Sequence, residues 1–177
     1  MVFRFDDISL NTDMAKANAM KDFLISEGHE VMWAISLICF YGCGERVFPN
    51  HIKPYSDVAE FFDGSNMGIP DHPPGIKLAS HGLFHVDHRL LNYEAQKMSI
   101  IGSCNIIGTS VFVPPFNKWN KDTEKVCEEY SLDLIKYEDG WLSCEHNRRI
   151  KGPSMWYLHP QCWTLETFKT WYGAVVA

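Results

Sequence analysis

The sequence predicts an α/β fold: a mostly parallel β-sheet, open or curled into an incomplete barrel, with helices packed against it. Three observations predict it. Short apolar runs alternate with helix-like stretches along the chain, the pattern of repeated strand–helix units. The run Val31 to Phe40, VMWAISLICF, is apolar throughout, as expected of a parallel strand covered on both faces. The length, 177 residues, suffices for one domain with a full hydrophobic core but not comfortably for two, so a single domain over 1–177 is expected.

Val2 to Ile8 alternates apolar and polar residues and reads as a first strand ending on Asp6-Asp7. Thr12 or Asp13 can cap a helix from about Met14 to Ser26, with Gly28 just past its end. Val31 to Phe40 is the second strand. Residues 41–74 are rich in glycine and proline and read as a long loop over one end of the domain, with a short helix around Ser56 to Phe62. His51 and His72 within it read as surface residues. Ile76 to Ser80 is a third strand that enters a histidine-rich loop. Asn92 to Ile101 reads as a helix ended by Gly102, and Thr109 to Val113 as a fourth strand. Asn120 caps a helix from Lys121 to Tyr130. Leu132 to Tyr137 is a fifth strand, Gly140 to Cys144 a short one, and Ser154 to Leu158 the last. A helix capped by Thr164 runs to about Tyr172.

The net charge of −6 argues against a nucleic-acid backbone as partner, and no run of lysine and arginine offers an electrostatic footprint. The opening MVFRFDDIS places two aspartates where a secretory signal would be apolar, and the longest apolar run is too short to span a bilayer. A cytoplasmic protein without membrane insertion is therefore expected. The six cysteines then read as free thiols. Cys39 and Cys43, four apart, lack the two further close ligands of a structural zinc site.

In parallel sheets of this kind the ligand site lies at the carboxyl ends of the strands. Four polar motifs fall there: Asp6-Asp7, His81 with His85, Pro114 to Asn120, and His159. Neutral imidazole is a good ligand for zinc and similar divalent metals. Two histidines and a carboxylate, Asp7, make a three-ligand site with an open position for water, whose pKa then falls toward about 7. Asp6 can act as general base toward that water and His159 as general acid toward a leaving amine. The metal polarises the carbonyl. The set suits hydrolysis of an amide or ester. Each member also has a plainer reading. The histidine pair fits ordinary surface or core residues, Asp6-Asp7 a solvated turn, His159 a rim histidine, and Pro114-Pro115 a rigid loop. Arg4 fits either a partner for one of the carboxylates or an outward-facing charge.

With these motifs in this order, the chain resembles the polysaccharide deacetylases of the NodB-homology superfamily (carbohydrate esterase family four). Arg4-Phe5-Asp6-Asp7 is similar to the family's first motif, His81 to His85 to its His-(Ser/Thr)-x-x-His motif with Asp87 as the usual aspartate afterwards, and Leu158-His159 to its late Leu-His pair. The resemblance implies a distorted or incomplete (β/α) barrel forming one deacetylase-like catalytic domain. It implies a divalent metal, zinc foremost, and removal of an N-acetyl group from a sugar or polysaccharide precursor. By resemblance Asp6 is the base, Asp7, His81 and His85 are the metal ligands, and His159 is the acid. Pro115, Asn117 and Trp141 are placed at the substrate. The chain departs from the pattern at several points. No arginine precedes Pro114-Pro115, so Arg4 or a residue of the 41–74 loop is expected to orient Asp6. Gly82 stands where serine or threonine is usual, Ile8 where glycine follows the aspartates, and Glu138 to Trp141 match the fourth motif loosely. The FRFDDIS opening followed by HGLFHVDH is most similar to a divergent, WbmS-type branch associated with bacterial surface-polysaccharide gene clusters.

Two other readings fit the residues. One is a catalytically weak or inactive metal-containing carbohydrate-binding protein, suggested by the eroded third and fourth motifs and by Trp119, Trp141 and Trp156, which could stack on sugar rings. The other is a metal hydrolase of a non-sugar amide, since one fold hosts several chemistries.

Overall fold

The computed structural model describes residues 1–9, 12–37, 73, 75–136 and 155–176, together with the backbone of 141–143. β1 (Val2–Ile8) leads through α1 (Met14–Ser26) to β2 (Glu30–Ile35). Then come β3 (Lys77–Ser80), α2 (Tyr93–Ile107), β4 (Val111–Phe112), α3 (Lys121–Glu129) and β5 (Asp133–Leu134). β6 (Trp141–Ser143), β7 (Met155–Leu158) and α4 (Leu165–Val175) complete the order. Among the described residues the seven strands form one sheet in the order β5-β4-β3-β2-β1-β7-β6, and every pair is parallel. Among the described residues no ladder joins β5 to β6, in line with the incomplete barrel expected from the sequence.

The helices start where short polar side chains can satisfy their first N–H groups. The Asp13 carboxylate accepts from the Lys16 N–H, and the Asn92 side chain accepts from the Ala95 N–H at 2.9 Å. Asn120 with Thr123, and Thr164 with Thr167, form reciprocal capping boxes at α3 and α4.

Phe3, Phe5, Trp33, Ile35, Trp156 and Leu158 face one layer of helices and pack on Ala17, Met20 and Leu24 of α1 and Phe168 and Trp171 of α4. The opposite face of the central strands is lined differently. Arg4 stands in register with Met32 on β2 and Tyr157 on β7, beside a small cluster of Met32, Ala34, Ala79 and Val113.

Several boundaries differ from those expected. β2 ends at Ile35, level with the ends of β1 and β3 at Ile8 and Ser80, and residues 38–40 of the expected strand lie outside the described residues. α2 passes through Gly102 and ends on Gly108, whose φ of 73° is left-handed. Gly102 has another use: a Cβ there would lie 3.3 Å from Leu83 Cδ1, so its bareness lets the helix approach the histidine loop. β5 is shorter than expected, and α4 continues to Val175. The helix expected at 56–62, His51, His72, and the motif residues 138–140 lie outside the described residues. Cys104, Cys127 and Cys162 are free thiols. Burial pushes Cys104 up to about 11 and Cys127 to about 12, which leaves both unreactive near neutrality. Among the described residues no helix is long and apolar enough to cross a membrane.

Candidate metal and catalytic site

The site begins with an irregularity in β1. From Phe5 to Ile8 the strand spends three residues where β2 spends two, from Trp33 to Ile35. One extra residue in a ladder is a β-bulge, and it re-aims side chains. Here the bulge falls on the aspartates. Asp7 takes a left-handed backbone, φ 58°, which aspartate tolerates better than most residues. Both carboxylates are thereby buried at the carboxyl end of the central strand, although strict alternation would send them to opposite faces.

Asp7 meets three histidines brought by two other strand ends. Its Oδ1 lies 2.9 Å from His85 Nε2 and 3.3 Å from His81 Nε2, both beyond β3. Its Oδ2 lies 3.5 Å from Nε2 of His159, the residue after β7. Burial alone would raise the Asp7 carboxyl. The hydrogen bonds and charges of His81 and His85 outweigh burial and hold it well below the usual carboxylate range.

The histidine orientations are informative. His81 Nδ1 lies 2.8 Å from the Val113 carbonyl, which can only accept, so Nδ1 carries the proton. In the neutral ring Nε2 then presents a lone pair toward Asp7 Oδ1. Two electron-rich atoms so placed call for a cation or a proton between them. The ligating atoms of Asp7, His81 and His85 all lie within 4.8 Å of one another. Donors bound to one ion at about 2.0–2.1 Å stand about 2.8–3.4 Å apart for right-angled to tetrahedral arrangements, and both Asp7 separations fall in that span. The donor set therefore fits a divalent ion, and its nitrogen–oxygen composition suits zinc chemistry.

Asp6 faces a different partner. Arg4 is fully buried and its Nε and Nη2 donate to Asp6 Oδ1 and Oδ2 at 2.6 and 2.7 Å. The residues are two apart on one strand, so they share a face, and the planar guanidinium matches the carboxylate fork. Arg4 is thus neither outward-facing nor solvated. Its Nη2 also donates to Asn117 Oδ1 at 2.8 Å, and the guanidinium lies 5.2 Å from the Tyr157 ring centre.

Asn117 belongs to the turn after β4. Pro115 is buried, while Phe116 and Asn117 both have left-handed backbones, φ 59° and 53°. The turn lays the half-exposed Phe116 ring 4.4 Å from the ring of His85. Sequence reasoning did not single out Phe116; its place in the Pro-Pro-Phe-Asn run after a strand was the available signal. His81 is nearly sealed, whereas His85 and His159 keep 19% and 25% of their side-chain surface, so the site opens on their side.

Other expected residues fall elsewhere. Asp87 stays out of the ligand group: its carboxylate takes Arg89 at 2.7 Å and Lys118 at 3.7 Å and caps the short turn His88–Leu90. Trp156 is 2% exposed and packs edge-on against Trp171, so it cannot stack on a sugar. The Trp141 backbone pairs with Met155, level with Val2 at the amino end of the sheet; its side chain lies outside the described residues. Trp119 is partly buried.

No protein-family profile matches the sequence, and no curated protein does. Solved structures do share its fold. The family 4 carbohydrate esterase from Streptomyces lividans in complex with acetate superposes with a TM-score of 0.60 at 12% identity, over 98% of this chain and 88% of that one. A family 4 pseudoenzyme from Bacillus anthracis gives a TM-score of 0.62 at 11% identity, over 98% of this chain and 60% of that one. Peptidoglycan deacetylase PdaC from Bacillus subtilis gives 0.53 at 14% identity, over 90% and 74%. The chain therefore has the fold of the family 4 carbohydrate esterases, a distorted barrel of the NodB-homology type. It spans about three fifths of the Bacillus anthracis protein's length.

Proposed function

We propose that this protein is a metal-dependent hydrolase that removes the N-acetyl group from a sugar or saccharide precursor. The observation that carries the reading is the convergence of Asp7, His81 and His85 within 4.8 Å at the carboxyl end of the sheet, with His159 on the far oxygen of Asp7. Asp7, His81 and His85 would hold the ion, with zinc the first candidate. When bound, a divalent ion there supplies Lewis acidity, making water acidic near neutral pH and polarising the acyl carbonyl.

The chain's own residues do the rest. Asp6 takes the proton from the attacking water, held in place by the Arg4 fork. His159 gives a proton to the nitrogen of the leaving amine, so that amide and water become acetate and free amine. Its partial exposure suits a group that must meet substrate. Arg4 thereby takes the role of the arginine absent before Pro114. Pro115, Asn117 and Phe116, on the turn after β4, would line the sugar, whereas the expected Trp141 lies on the β6 backbone at the amino end of the sheet, away from this site. The likeness to family 4 folds supports a saccharide substrate, and a cytoplasmic surface-polysaccharide precursor of the WbmS-type branch is the specific candidate. A single catalytic domain over 1–177 is part of this reading.

One observation favours a second reading, sugar binding with little or no turnover: Arg4 engages both oxygens of Asp6. Acetate release separates the two. Zinc-loaded protein is expected to release acetate from at least one N-acetyl sugar nucleotide or oligosaccharide, and Asp6→Asn to abolish it. Saturable sugar binding without acetate, unchanged by Asp6→Asn, would establish the binder instead.

A further inference from the structure

The histidine loop raises a question its ligands do not answer. His81 and His85 project from a loop whose second residue, Gly82, has φ 89° and no side chain of its own. Three ligands hold an ion well only if their carrier is fixed beforehand. The fixing comes from His88 and Ser99, which the ligand set leaves unused.

His88 is completely buried. Its Nδ1 lies 3.0 Å from the Val86 carbonyl and its Nε2 3.1 Å from Ser99 Oγ. The Leu83 N–H donates to the same Ser99 oxygen at 3.2 Å. Only one assignment satisfies every group. Nδ1–H donates to the carbonyl, the Ser99 hydroxyl donates to Nε2, and the Leu83 amide donates to Ser99. The imidazole must then be neutral, and burial, which pushes it down to about 4, keeps it so. A second layer continues the pattern. Ser80 Oγ accepts from the Gly82 N–H at 3.2 Å and shares a hydrogen bond with Ser103 Oγ at 2.5 Å. Ser99 and Ser103 are one turn apart on α2, so one helix face ties down both ends of the loop.

Gly82 completes the device. A Cβ there would stand 2.9 Å from the Phe84 carbonyl, 3.0 Å from His88 Cε1 and 3.3 Å from Ser99 Oγ. The space a side chain would take is filled by the brace.

We propose that His88 and Ser99 are positioning residues that brace the His81–His85 loop from α2 and set both imidazoles before an ion arrives. The statement about the ion rests on the metal reading above; the statement about loop order does not.

Hydrogen–deuterium exchange on metal-free protein and zinc titration, using Zn2+ alone, test it together. The variants are Ser99→Ala, His88→Phe, and His88→Gln, which still offers the Ser99 hydroxyl an acceptor. In Ser99→Ala and His88→Phe the amides of 82–86 should exchange at least tenfold faster, with β1 and β2 unchanged. Zinc affinity should fall roughly 10–100-fold, the range for outer partners of metal ligands. His88→Gln should lie between these and wild type. Unchanged exchange and affinity would overturn the proposal. So would loss of protection throughout β1 and β2, which would make the pair ordinary core. Should His88→Phe not fold, Ser99→Ala carries the test alone. Faster loop exchange in the variants of a protein that never takes zinc would support the brace while ending the metal reading.

Discussion

At the scale of single residues, the site depends on one extra position in a strand and one buried arginine. The bulge at Asp6-Asp7 lets adjacent carboxylates serve different partners, Arg4 for one and the histidines for the other. Removing a partner from a buried ion pair strands the other charge, at a cost of about 3–5 kcal/mol. Arg4→Met should therefore lower urea stability by about that amount, and Arg4→Met with Asp6→Asn should recover much of it. Arg4→Lys should not restore wild-type turnover, because an ammonium cannot make the two-pronged contact. Wild-type acetate release by Arg4→Lys would refute the orienting role. The residues proposed as ligands, base and acid were legible because aspartate and histidine at strand ends are few and chemically specific. Phe116 was not, because only the left-handed turn after β4 directs its ring onto His85.

At the scale of elements, two couplings tie α2 to its neighbours. Asn120 caps α3 and also accepts from Gln96 of α2 at 3.2 Å. Asn120→Ala should cost about 1 kcal/mol, the usual loss for an N-cap, read as a lower urea midpoint with zinc content unchanged. The second coupling is the His88 brace, which makes stability depend on pH. His88 titrates near 6.5 when unfolded and about 4 when folded. Between those values the unfolded chain binds the proton and the folded chain does not. This contribution is therefore complete above pH 6.5, declines as pH falls toward 4, and is flat below. The total is roughly 3 kcal/mol over the window. His88→Phe should flatten that part of the urea-stability profile; an unchanged slope would show that another group causes it. Gly102 marks where sequence reasoning failed at this scale. A glycine at a helix end and a glycine under a packed leucine are identical in sequence, and only Leu83 distinguishes them.

At the scale of the whole molecule, the site joins strands that are remote along the chain. Asp7 lies at the end of β1, and His81 and His159 follow β3 and β7, which the parallel order gathers at one end of the sheet. An ion held by Asp7, His81 and His85 would link the ends of β1 and β3 in the folded state only. At a hundredfold excess over its dissociation constant it would add about 2.7 kcal/mol. For a chain of this size that corresponds to a rise of roughly 5–10 °C in melting temperature. A chelator should remove this increment from wild type and not from His81→Ala. Equal melting temperatures with and without chelator would count against metal occupancy.

The sequence by itself determined the alternation of strands and helices, the caps, and which residues could be ligands, base and acid. These depend on local periodicity and on side-chain chemistry, which are written residue by residue. The tertiary structure decided the rest. It placed Arg4 on Asp6, turned Asp7 with a bulge, assigned Asp87 to Arg89 and Lys118 rather than to the ligand group, buried Trp156 away from any sugar, and gave His88 to Ser99. Each of those outcomes depends on which neighbour reaches a polar group first, and that is settled only when distant strands and helices are packed together.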